Sequence, residues 1–261
     1  LQPRGCSLLM KKLILAIIGL LVPAALCVAG NILSNETVRY RVMYKWWLIN
    51  KQAGHAVISL RDAGSHYVSQ LVGHSEPWAD KFFTVRDTLN GSMQKDGLRP
   101  IFYEKKAHEG SEDKHDTVRF VYGDDGTVTG HCTRRVVKKG ELKVDHEQTL
   151  HASGPTVDML SSFYYMRNLP FGKWQKGHKE SINIFSGKRK ETLTFEYNGI
   201  QFVQVGDKRY QCYHVTFKFT GDGGKKTSDN MDAWITTDTR RLPVQLEGKL
   251  VVGKVKCEII N

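Results

Sequence analysis

Histidines are the first side chains to weigh, because several of the ten in this sequence fall in pairs. His108 with His115, His146 with His151, and His131 beside Cys132 could supply zinc ligands if they stood at i, i+2 or i, i+4 with a carboxylate in support. None has that spacing, and no CxxC accompanies them, so each histidine reads as solvated or structural and no metal is expected. Activated nucleophiles fare no better. "SSFYY" lacks the glycine frame of a GxSxG elbow, and "GDDG" and "GDGG" lack the alternating Asx ligands and terminal Glu of a calcium loop. There is no GxxxxGK[ST] and no GxGxxG after a strand, so no nucleotide cofactor is expected. Asp124 and Asp125 sit where a turn would solvate them. A glycosidase pair gathered from distant strands needs no local motif, so the sequence leans away from catalysis without naming a catalytic residue.

What does stand out is aromatic content at the interruptions of an otherwise regular pattern. Trp46 and Trp47, Trp78 with Phe82 and Phe83, Phe163 with Tyr164 and Tyr165, and Phe171 with Trp174 bury large areas in a core or line an apolar or sugar-stacking cavity. Trp47 falls on the outward parity with Arg39, Arg41 and Lys45, which makes it the hardest to assign to a core. Arg167, beside the third cluster, would meet an anionic head group or simply offset the helix dipole. The candidate ligand-binding set is therefore Trp47, Trp78, Phe82, Phe163, Tyr164, Arg167 and Trp174.

The elements that must position these groups are mostly strands. "TVRYRVMYKWW" alternates Val38, Tyr40, Val42, Tyr44 and Trp46 against Arg39, Arg41 and Lys45, the signature of a half-buried antiparallel strand. "INKQAGH" is expected to turn the chain into a second strand. Further runs follow from Tyr67 to Val72 and through "PIFYEKKAH", "HDTVRFVYG", "TVTGHCTRRVVKKG" and "ELKVDHEQTL", and "YGDDGTV" marks a hairpin. Six more runs occupy 181–185, 190–197, 209–220, 228–236, 242–250 and 251–260. Two segments break the alternation. "SEPWADKFFTVRDTLNG" puts Trp78, Phe82, Val85 and Leu89 at helical offsets between a capping Ser75 and Asn90-Gly91, with a strand through Phe83 and Val85 as the rival. "PTVDMLSSFYYMRNLPFG" predicts a second helix ended by Pro170. The expected fold is mainly β: a large curved antiparallel sheet or incomplete barrel with about two helices packed on it.

Starting at Met10, "MKKLILAIIGLLVPAALCVAG" has the basic, apolar and small-residue parts of a secretory leader. A permanent anchor is the rival, though Pro23 and the small residues near the end favour removal. Residues 1–9 precede a good start methionine and are set aside from the fold, 10–30 form the expected signal peptide, and 31–261 form a single β-rich domain. Cys27 would be a lipidation site, but Leu26 stands where Gly, Ala or Ser is normal, so membrane association is expected to be transient unless Cys27 is acylated. Losing the leader removes Arg4, Lys11 and Lys12 from a formal net charge of +11. The remaining charge is spread through alternating strands, the pattern of a solvated face, and excludes a nucleic-acid surface. Cys132, Cys212 and Cys257 remain, an odd number that allows at most one internal disulfide.

"DMLSSFYYMRNLPF" and "TTDTRRLPVQLEGKL" resemble an exported bacterial family, the domain of unknown function 3108. The match lies in the Asp158-x-x-Ser161 helix ending in Tyr-Tyr-x-Arg and in the late Asp-x-x-Arg-x-Pro-Val hairpin, and extends from about Tyr40 to Ile260. That resemblance implies a fold and carries no activity. "WITTDTRRLPVQL" is also similar, at the level of fold, to the Lol-type lipoprotein carriers, whose curved sheet cradles helices over an apolar cavity. Together these point to an exported protein of the periplasm or envelope of a Gram-negative bacterium that binds or carries a lipid or other amphipathic envelope ligand. An envelope glycan hydrolase, or an assembly module presenting a sheet edge to a protein partner, is the alternative. Arg240 and Arg241 themselves read as hairpin punctuation, with Pro243 opening a strand, and "DGLRPIFY" repeats that device at Asp96 to Tyr103.

Overall fold

The computed structural model describes residues 33–221, 224, 228–249 and 253–260. The expected leader, the lipidation question at Cys27, residues 1–9 and most of the "TGDGGKK" tip lie outside the described residues.

Two antiparallel meanders follow one another. The first runs through β1 (Glu36–Trp46), β2 (Ile49–Asp62), β3 (His66–Ser75), β4 (Val85–Gln94), β5 (Pro100–Glu109), β6 (Glu112–Tyr122), β7 (Thr127–Lys138) and β8 (Glu141–Ser153). The second runs through β10 (Lys179–Phe185), β11 (Lys190–Val205), β12 (Lys208–Gly221), β13 (Met231–Thr236), β14 (Pro243–Lys249) and β15 (Lys254–Ile260). β15 pairs with β1, Tyr40 opposite Ile259, and so joins the meanders into one sheet. The short β9 (Thr156–Val157) adds to β10 in parallel, and the sheet then has 15 strands.

The sheet curls nearly into a barrel because its two ends are consecutive in the chain. β8 and β9 are separated only by Gly154 and Pro155. Side chains complete the closure where a ladder does not: Asn183 Nδ2 donates to Ser153 O at 3.0 Å, and Gln148 Nε2 donates to Gly187 O and Lys188 O, each at 2.9 Å. Phe185 reaches across to stack on Phe120 at 5.8 Å. Gly130 makes room for it, since a Cβ there would lie 2.5 Å from Phe185 Cδ2.

Alternation drives the burial. One core gathers Val38, Tyr40, Ile58, Tyr67, Met93, Tyr103 and Val118 from the inner face of the first meander, and a second gathers Ile184, Leu193, Phe195, Val215 and Ile235 from the other. Between them lies α2 (Ser161–Asn168). Leu160 and Tyr164 enter the first core, while Met166 and Leu169 enter the second, so one short helix ties the two together. The three described cysteines are free. Cys132 and Cys212 are buried and Cys257 is half-buried against the first core.

The helix expected across 75–90 is one turn, α1 (Pro77–Asp80); residues 81–84 form a turn and β4 takes the remainder from Val85. Proline suits a first helical position, but the following Lys81-Phe82-Phe83-Thr84-Val85 is aromatic and β-branched, and pairing with β3 and β5 outweighs the helical spacing. Ser75 caps nothing; its hydroxyl accepts the Val85 N–H at 2.8 Å and pins the start of β4. Gly91 is no helix stop either. It sits in mid-strand, where a Cβ would press on Leu160 Cδ2 at 3.3 Å.

The Asp158-x-x-Ser161 stretch is a capping box. Asp158 Oδ1 accepts the N–H groups of Leu160 and Ser161 at 2.7 and 2.8 Å, and Ser161 Oγ accepts the Asp158 N–H at 2.9 Å. The late hairpin is built likewise: Asp238 Oδ1 accepts the N–H groups of Arg240 and Arg241 at 3.0 and 3.1 Å. Pro243 begins β14 beside a bulge at Trp234/Ile235, and Pro100 begins β5 beside a bulge at Ser92/Met93. Each proline carbonyl receives a tyrosine hydroxyl, from Tyr40 at 2.8 Å and from Tyr122 at 2.7 Å. Both hairpins therefore use the same physical device.

Candidate functional site

At the end of the sheet where β1 turns into β2, the inner face stops filling itself. β2 and β3 put small residues there: Ala56 stands opposite Gly73, and Gly54 opposite Ser75. Gly54 admits no substituent, because a Cβ would lie 2.5 Å from His74 O. Without side chains to meet across the sheet, a cavity of about 750 Å³ remains, a volume that suits a drug-sized or lipid-sized ligand. Val42, Tyr44, Trp46 and Val255 form its walls, and Ile49, Trp78, Ala79, Phe82, Phe83 and Val85 surround its mouth.

α1 and the segment after it hold that mouth in place. Trp78 Nε1 donates to Gln52 O at 2.6 Å, and its ring meets Phe82 edge-on at 6.4 Å. Lys51 Nζ lies 5.0 Å from the Trp78 ring centre, close enough for a cation–π contact. Arg86 bridges Asp80 at 2.5 Å, which fixes α1 to the start of β4 and holds the Asp80 carboxyl below its usual range.

Deeper along β4 and β5 the inner face becomes charged. Lys105 Nζ lies 2.6 Å from Glu109 and 3.6 Å from Asp87, and Lys114 Nζ lies 2.6 Å from the other Glu109 oxygen. Burial pushes Asp87 up, and Asp87 Oδ1 has no hydrogen-bond donor. Burial opposes ionisation of Glu109 as well, but hydrogen bonds from Lys105 and Lys114 outweigh it and bring Glu109 down to about 2. These paired charges stand outside the lining of the chamber, whose polar contributors are Lys51, His55, His74 and Ser75. A second recess of about 600 Å³ lies over β1–β3 and is lined by polar groups such as Asn35, Thr37, Ser59 and Gln70.

The sequence candidates separate into four places. Trp78 and Phe82 line the cavity. Trp47 stands at the tip of the β1–β2 turn beside it, 85% exposed, outside the lining itself. Phe163 and Tyr164 belong to α2, packed edge-on at 5.2 Å, with Tyr164 fully buried and its hydroxyl bound to Ser59 O. Arg167 is fully buried: its guanidinium pairs with Glu36 and donates to Arg240 O and Arg241 O at 2.9 and 3.1 Å, so α2, β1 and the late hairpin meet on one cation. Trp174 packs in the second core, 5.2 Å from Phe171 and 4.3 Å from His178. Sequence reasoning missed the small residues of the cavity floor. The inward phase of Ala56 and Gly73 was readable, but their pairing needed the register.

No curated protein matches the chain in sequence. In structure it is similar to the crystal structure of a beta-barrel-like protein of domain of unknown function DUF1849 from Brucella abortus, with 14% identity and a TM-score of 0.57. That likeness covers 88% of this chain and 97% of the other, and it concerns the fold alone. The family model of proteins of unknown function DUF3108 matches residues 39–260, nearly all of the described strands and the whole of the cavity, and the chain belongs to that family.

Proposed function

We propose that this protein is an exported, non-catalytic binder or carrier of an apolar or amphipathic envelope ligand, held in the cavity at the mouth of the sheet. One observation carries the reading: the register sets Ala56 against Gly73 and leaves about 750 Å³ behind apolar walls. An empty apolar chamber of that size forfeits packing at its lining, and an acyl chain would restore it. Lys51, in the chamber's lining, would suit the polar end of an anionic amphipath. Export to the periplasm or envelope is supported by the leader pattern of residues 10–30.

The test is occupancy. The chain purified from its native cells under mild conditions is expected to carry a lipid by native mass spectrometry, and to take up a fluorescent fatty-acid analogue when delipidated. Gly73→Leu places a side chain into the chamber, where a Cβ meets only Leu71 Cδ2 at 3.9 Å. It should weaken uptake at least tenfold while the far-UV spectrum stays unchanged. Repeated absence of bound lipid together with no uptake by the parent chain would sink the reading.

A further inference from the structure

The rim of the cavity has a chemistry of its own. Trp47, Leu48 and Phe82 are 85%, 81% and 83% exposed, and Trp46, Ile49 and Phe83 are exposed beside them. Elsewhere exposed large hydrophobics such as Val121, Ile200 and Phe202 stand on other hairpins; here six come from two neighbouring connections. A contiguous apolar patch of this kind marks an interaction surface. Trp47 also has a φ of 47°, in a two-residue hairpin loop where glycine is favoured. The turn therefore carries backbone strain to present an indole that packs against no core.

Cations surround the patch. Lys45, Lys81 and Lys139 are exposed and carry no ion pair among the described residues, and Lys51 adjoins Trp78. Lys139 belongs to the same rim, because its N–H bonds Ser111 O, and the adjoining Gly110 lies against the Phe83 ring. The neighbouring carboxylates are engaged: Glu76 by Gln52 and His55, Asp80 by Arg86, Glu112 by Lys138, and Glu141 by Lys143. The rim is thus apolar at its tips and positive around them.

We infer that this rim is a docking surface for an anionic lipid bilayer, with Trp47, Leu48 and Phe82 entering the interface and the lysines meeting acidic headgroups. Tryptophan at the headgroup level, aliphatic tips below it and lysine above it is the arrangement that interfacial insertion favours. The positive surround matches anionic lipid and is screened by salt. It disfavours a second copy, whose own lysines would face these. Docking depends on the tips and their charge and not on what the cavity holds, so it can fail while ligand binding stands.

The test uses the full chain with Cys6→Ser and Cys27→Ser and an environment-sensitive fluorophore on Leu48→Cys, with Cys132 and Cys212 buried and Cys257 half-buried in the core. A control label goes on Ser65→Cys, in the β2–β3 turn at the far end of the same strands. Vesicles of phosphatidylcholine with 30% phosphatidylglycerol (about that fraction suffices to make the surface anionic) should raise emission at Leu48 at least threefold. The Ser65 label should not respond. Pure phosphatidylcholine or 0.5 M salt (roughly a 4 Å Debye length) should cut the response severalfold, and Trp47→Ser should reduce it further. An equal response at both labels, an equal response on neutral vesicles, or none at all would overturn the assignment. Silence at Leu48 together with self-association that Trp47→Ser abolishes would overturn it in favour of a second copy. Unimpaired fatty-acid uptake in Trp47→Ser would show that the cavity reading is untouched by either result.

Discussion

Two buried charges dominate at the scale of single residues. Arg167 is fully buried and Glu36 nearly so, and the pair is worth most when neither is left alone. Removing one partner of such a pair strands the other in a low dielectric, at a cost of about 3 kcal/mol or more. Glu36→Gln is therefore expected to lower the urea-unfolding free energy by about that amount, and Arg167→Met in the same chain should recover part of it. Asp158 behaves differently. Burial raises its carboxyl to about 6, against the hydrogen bonds of the capping box, which favour the ionised form. The unfolded chain has the ordinary value near 3.8, so the folded state binds this proton more tightly. The resulting stabilisation is full below about pH 4 and is lost as pH rises through about 6, a swing of roughly 3 kcal/mol at most. Asp158→Asn keeps a capping oxygen and removes the titration. Its stability relative to the parent should improve as pH rises from 4 to 7, measured by urea melts across that range.

The elements meet at points where a side chain is either missing or strained. Gly130 lets the β10–β11 hairpin fold Phe185 onto Phe120, which is how the second meander reaches the first across the open side. Gly130→Val puts methyl groups into that contact and should cost about 2–3 kcal/mol by overpacking; Phe185→Ala in the same chain should relieve part of it, by thermal or urea unfolding. The β1–β2 turn presents the opposite case. Trp47 holds a left-handed φ with little to pack on, so Trp47→Gly is expected to stabilise the fold by about 1 kcal/mol. If the tip serves a bilayer, the same substitution should lose vesicle binding, gaining stability at the expense of function. α1 shows how local signals yield to pairing: helical spacing was present, yet β3 and β5 claimed the residues from Val85 onward.

For the molecule as a whole, a ligand in the cavity adds stability through mass action, because it binds the folded state alone. The delipidated protein should gain several degrees in Tm with a saturating fatty acid, and Gly73→Leu should abolish that gain while raising the unliganded Tm. A chamber left partly empty would account for both. The long-range closure also has a kinetic consequence. β15 must find β1 and the β10–β11 hairpin must find β8 before the cores are sealed, so most of the ordering entropy is lost before those contacts form, and refolding is expected to take milliseconds to seconds in stopped-flow measurements.

The sequence by itself determined most of the strands, the Asp238 turn and the strand-opening prolines, because alternation, Asx turns and the missing proline N–H act over a few residues; it missed β4, read as helix, and read as a turn the 49–55 stretch that opens β2. It determined the family through those same motifs. It also marked Trp78 and Phe82 as aromatics at a break in the sheet, and Trp47 as facing out. Only the tertiary structure decided that Arg167 would be consumed by Glu36 and two hairpin carbonyls, since those partners lie over 70 residues away in either direction. The cavity belongs to the same class. Ala56 and Gly73 each leave little side chain on the inner face, and they combine into one gap only when the register sets them opposite each other.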